Sequence, residues 1–146
     1  MAGYLDLVTL IVREYDRSIR FFTDVLGFEL VRDEPSLTND GRPKRWVEVR
    51  PPQGGTGLLL ARADGPQQEA AVGEQMAGRV GWFLRVENFE AAYQRLVDAG
   101  VELIGERRNE AYGELVVFKD CEGNRWDLLG PSPEVQTGDD STSSSA

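Results

Sequence analysis

The chain contains no histidine, so no imidazole is available to hold a metal or to move protons near neutral pH. It has one cysteine, Cys121, which cannot form an intrachain disulfide and points to a reducing compartment. Asp120 and Glu122 flank that thiol, and their negative charge works against a thiolate nucleophile. Basic residues are outnumbered, 16 against 25 acidic, for a formal net charge of −9. The basic clusters Arg42-Pro43-Lys44-Arg45 and Arg107-Arg108 are short. Neither nucleic acid nor a membrane surface is therefore expected as a partner. Long apolar runs are missing too. Leu5–Val12 is too short to span a bilayer and lacks a basic flank, so no signal peptide is read and a cytoplasmic location is expected.

What is present is an ordinary globular composition, 40% hydrophobic and 28% charged over 146 residues, enough for one domain with a real core. Pro131–Ala146 is rich in Ser, Thr and Asp with almost nothing apolar, and is expected to be a disordered tail behind a folded domain of residues 1–130. A second stretch, Asp64–Gly78, is dominated by Gly, Gln, Glu and Pro and reads as a flexible connection. It separates two halves, about 4–63 and 79–130.

The halves read alike. In the first, Leu5–Val12 is an apolar strand, and Asp16 is placed to cap a helix carrying Ile19, Phe22 and Leu26. Gly27 ends that helix. Strands follow at Phe28–Arg32, Arg45–Arg50 and Gly57–Ala63, with Asn39-Asp40-Gly41 as a turn. In the second, the strand Arg79–Val86 leads to Asn88 as cap, a helix with Phe89, Ala92, Leu96 and Ala99, and Gly100 as terminator. Strands near Val101–Ile104, Glu114–Lys119 and Arg125–Leu129 complete it. The segment Leu26-Gly27-Phe28-Glu29-Leu30-Val31 parallels Ala99-Gly100-Val101-Glu102-Leu103-Ile104, which points to a duplicated βαβββ unit.

Val8-Thr9-Leu10, then Asp16-Arg17-Ser18-Ile19-Arg20-Phe21-Phe22 with Leu26-Gly27-Phe28, and finally Asp120-Cys121-Glu122-Gly123-Asn124-Arg125-Trp126-Asp127-Leu128 resemble the vicinal oxygen chelate superfamily of glyoxalases, bleomycin-resistance proteins and extradiol dioxygenases. The resemblance covers Tyr4–Gly130. It implies an α+β fold: two pseudo-symmetric βαβββ modules forming a cupped mixed sheet, with helices on the convex side and a ligand in the concave cup. The family's four metal-ligand positions fall on Leu7, Leu59, Gly81 and Asp127. One carboxylate among them cannot fix a divalent ion, so no metal and no cofactor is expected.

Period-two alternation then assigns neighbours of those positions to the cup. Thr9, Phe83, Arg85, Arg125 and Leu129 join Asp127, while Trp46, Glu48 and Arg50 come from the strand Arg45–Arg50. Arg107, Arg108, Glu110, Tyr112 and Gly113 read as a polar loop at the mouth, Tyr112 offering a phenol. The candidate ligand-binding set is Thr9, Trp46, Glu48, Arg50, Phe83, Arg85, Tyr112 and Asp127. Trp46 serves equally as core or ligand platform, and Asp127 could instead pair with Arg125 or Arg50. An aromatic wall with carboxylates and arginines suits a planar or carbonyl-bearing small molecule. The expected function is metal-free small-molecule binding of the bleomycin-resistance type. The alternative is a lyase, isomerase or dioxygenase-like enzyme, either cofactor-free with Glu48 or Asp127 as catalytic base or using an unrecognised metal site. A homodimer is expected, because the modules otherwise leave strand edges unpaired.

Overall fold

The computed structural model describes residues 1–131; apart from Pro131, the expected tail lies outside them. The chain divides into two compact units: Met1–Gly78 together with Cys121–Asn124, and Arg79–Asp120 together with residues 125–131. Each contains one four-stranded mixed sheet, and the two sheets have the same topology, as the α+β two-module fold requires.

In the first unit, β1 (Leu7–Val12), β2 (Glu29–Leu37), β3 (Pro43–Arg50) and β4 (Gly57–Arg62) order as β1-β4-β3-β2. β1 runs parallel to β4 and the other pairs are antiparallel. Helix α1 (Tyr15–Arg20) passes into a π-helical turn, Phe21–Val25, that seats Phe22 in the core. Gly27, at φ 74°, takes the left-handed conformation that ends it. The helix starts earlier than its sequence indicates. Glu14, not Asp16, is the extended residue before it, because the Asp16 carboxylate is drawn to Arg45 at 3.0 Å. Leu10, Val12, Val47, Val49, Leu58 and Leu60 are buried on one face. Helix α1 covers that face: Arg45 and Arg62 flank the Tyr15 ring at 5.0 and 5.1 Å.

Asp64–Gly78 is not the loose connection its composition indicates. Pro66–Ala71 forms helix α2, and Val72 is buried. Gln75 then closes the free edge of β1, accepting from the Ile11 amide at 3.0 Å and donating to the Thr9 carbonyl at 2.7 Å. A single side-chain amide thus replaces a neighbouring strand. The turn Cys121–Asn124 is also drawn into this unit. Glu122 is buried, accepts from Arg13 at 2.9 Å and lies 3.4 Å from the Ser18 hydroxyl. Gly73 must be glycine here, since a Cβ would stand 2.3 Å from the Glu122 carbonyl oxygen.

The second unit repeats the plan with β5 (Val80–Arg85), α3 (Phe89–Asp98), β6 (Leu103–Glu110), β7 (Gly113–Lys119) and β8 (Arg125–Leu129), ordered β5-β8-β7-β6. Asn88 caps α3 by accepting from the Ala91 amide at 3.1 Å, and Gly100 ends it at φ 70°. Trp82, Trp126 and Phe118 stack across three strands at 5.6 and 5.9 Å. The Trp126 indole donates to Asp120 at 2.9 Å. The region expected to be a polar loop is mostly strand: Arg107, Arg108 and Glu110 belong to β6, and only Ala111 and Tyr112 turn between β6 and β7. Antiparallel pairing of Glu110 with Gly113 closes this hairpin, so the polar side chains decorate a sheet edge.

Candidate functional site

Register decides which side chains share a face, because directly paired residues point the same way. In the first unit Thr9 pairs with Leu59, Leu59 with Glu48, and Glu48 with Arg32. In the second, Phe83 pairs with Asp127, Asp127 with Val117, and Val117 with Ile104. Both rows lie opposite the helices. Arg107 holds the α3 side, 5.1 Å from the Phe89 ring centre and 4.5 Å from that of Tyr93, whereas its neighbour Arg108 pairs with Leu115 on the Asp127 side.

The two rows differ in chemistry. In the first unit the buried carboxylate is paired within the unit. Glu48 is only 7% exposed. Its Oε2 accepts from Arg50 Nε at 2.7 Å, and its Oε1 lies 3.5 Å from the Trp46 indole nitrogen. The Arg50 guanidinium continues to the Asp6 carboxylate at 2.6 Å and to the carbonyls of Asp6 and Gly55. These contacts, Glu48 first, raise the Arg50 pKa. Gly57 makes room for the network: a Cβ there would meet Arg50 Cγ at 2.7 Å. Asp6 and Gly57 were not legible as site residues, because their parts depend on where the Arg50 side chain travels.

In the second unit the row is left open. Asp127 Oδ1 is buried and has no hydrogen-bond partner among the described residues. Burial pushes the carboxyl pKa up, with the Arg108 charge acting the other way. The pairing with Arg125 or Arg50 considered for Asp127 is therefore not made through this oxygen. Beside it Phe83 is 64% exposed, unusual for so large an apolar ring.

The remaining candidates are scattered. Arg85 donates to the Gly130 carbonyl at 2.7 Å. Thr9 is exposed and lends its carbonyl to Gln75. Tyr112 stands in the β6–β7 turn, 53% exposed. Gly81 falls at an irregularity of the β5–β8 register, between Val80 and Trp82.

Of the positions that the resemblance aligns with the family's metal ligands, Leu7, Leu59 and Gly81 offer no donor side chain and Asp127 offers one carboxylate. That set does not fit a divalent ion. Among the described residues no cluster of three or more His, Cys, Asp or Glu could hold one elsewhere, and no helix is long and apolar enough to cross a membrane.

Comparison with known proteins agrees with this architecture. An uncharacterized protein of Shewanella frigidimarina is 40% identical, over 84% of this chain and 89% of its own. The crystal structure of UcmS2 superposes with a TM-score of 0.72 at 29% identity, covering 88% of this chain and 98% of that one. TnmS3, an antibiotic binding protein from Streptomyces, gives 0.69 at 26% identity, covering 90% and 98%. The family described as Glyoxalase/Bleomycin resistance protein/Dioxygenase superfamily matches residues 4–128, and the chain belongs to it.

Proposed function

We propose that this protein binds a small molecule without a metal, on the sheet faces that its helices leave uncovered. The observation that carries this reading is the donor set at the family's metal positions: Leu7, Leu59, Gly81 and one carboxylate, Asp127. Hydrocarbon at these points removes the Lewis acid and leaves surface suited to apolar contact. Trp46, half-buried and oriented beside Glu48, and the exposed Phe83 supply aromatic area. The likeness to an antibiotic binding protein supports the same class of ligand.

The enzymatic alternative is weakened at Glu48, because this carboxylate is 7% exposed and held by Arg50 at Oε2, leaving little access for a substrate proton. Asp127 is the better-placed base, and turnover lost in Asp127→Asn would revive that alternative. We also propose that the protein works as a homodimer in the cytoplasm. The edge strand β2 exposes Leu30, Val31 and Leu37, apolar side chains that a second copy would cover. Elemental analysis of protein purified without chelator tests the central reading. The expected result is no stoichiometric Zn, Ni, Mn or Fe; about one equivalent per chain, lost in Asp127→Ala, overturns it. A thermal-shift panel of aromatic antibiotics, bleomycin included, is expected to contain a stabilising compound whose effect shrinks in Trp46→Ala.

A further inference from the structure

The two sheet faces are built alike and furnished differently, and the difference speaks to the ligand. On the first, each carboxylate oxygen of Glu48 has a nitrogen near it. At the pseudo-equivalent place of Leu59, the second carries Asp127, whose Oδ1 is buried without a partner among the described residues. Its cross-strand neighbours, Phe83 and Val117, are hydrocarbon and have nothing to donate. The nearby Arg85 guanidinium is engaged with the Gly130 carbonyl, and Arg108 lies 3.7 Å from Glu110. A carboxylate with a buried, unpaired oxygen is costly, a donor that reaches the group relieves that cost, and Asp127 is only half-buried. Phe83, its register partner, offers an exposed ring directly beside it.

We propose that the second module's face selects aromatic molecules bearing an O–H or N–H donor: the ring lies on Phe83 and the donor meets the Asp127 carboxylate. This rests on the binding reading above and adds the polar group of the ligand. A phenol or an aromatic amide fits it; an aryl ether or a bare carboxylate does not, the latter because it would set like charges together.

The test uses the full chain, labelled with nitrogen-15, titrated with β-naphthol and separately with its methyl ether while amide shifts of β5 and β8 are followed. The naphthol is expected to bind roughly tenfold more tightly, the scale of one hydrogen bond to a charged acceptor. That preference should vanish in Asp127→Leu, with the ether's own affinity little changed, and both compounds should weaken in Phe83→Ala. The wild-type ratio decides even if Asp127→Leu folds poorly. Equal binding of naphthol and ether at these strands overturns the donor assignment and leaves the binding face standing. A preference that persists in a folded Asp127→Leu overturns it as well. No shift at β5 or β8 with either compound removes the face itself.

Discussion

Asp127 and Glu48 are two carboxylates in matching sheets with opposite surroundings. Burial holds Asp127 above its ordinary pKa, so the folded chain binds that proton more tightly than the unfolded one. Its contribution is neutral at low pH and turns unfavourable as pH rises through the unfolded and then the folded value. Asp127→Asn should accordingly raise the melting temperature at pH 7, by about 2 °C because the side chain is only partly buried. The gain should fade as the pH approaches about 4. Calorimetry across that range checks both. Glu48 is instead held by Arg50. Arg50→Met should cost roughly 2–3 kcal/mol by stranding a buried carboxylate, and Arg50→Met with Glu48→Leu should recover most of it. Denaturant unfolding of the two single variants and the double variant measures this. Gly57→Ala should be destabilising by about 1–3 kcal/mol, since its methyl group displaces the Arg50 stem.

Elements owe their ends to partners that are distant in sequence. β1 has β4 on one side and, among the described residues, the Gln75 amide on the other. Replacing Gln75 by Ala should cost about 1 kcal/mol and speed hydrogen exchange at the Ile11 amide, which loses its acceptor. Unchanged exchange there would mean that the edge is protected some other way. α3 carries its own cap in Asn88, which is why its start was legible locally. The start of α1 was not, because Asp16 is taken by Arg45 from β3. Bulges recur in both modules' second strands, at Val31 and between Ile104 and Arg108. The second includes Gly105 at φ 74°. They extend β2 and β6 well past the short strands that the apolar pattern indicated.

For the whole molecule, the net charge of −9 leaves an excess of carboxylates, several of which are paired locally. Asp33, Asp64 and Glu90 are held below the ordinary carboxylate range by hydrogen bonds from Arg45, Arg42 and Arg107 respectively, and Asp40 by Thr38 and Arg42. Such groups add stability above their unfolded pKa and lose it as pH falls through the folded one, opposite in sense to Asp127. All four lie near the surface, so acid should weaken the fold gradually. Light scattering at several concentrations is expected to give twice the chain mass; a concentration-independent monomer would remove the homodimer proposal.

The amino-acid order by itself determined the duplicated module, its eight strands, the two helices α1 and α3, and the alternation that separates apolar from polar positions. These follow from local periodicity, glycine conformation and the Asn88 cap, each readable within a few residues. The absence of histidine was equally plain. Only the tertiary structure decided that Asp64–Gly78 is ordered, that Glu122 is buried against α1, and that Glu48 is satisfied while Asp127 is not. The physical reason is that a polar atom's state depends on which side chain reaches it. Arg50 reaches Glu48 across the space a missing Cβ leaves at Gly57, and nothing among Asp127's cross-strand neighbours reaches Oδ1.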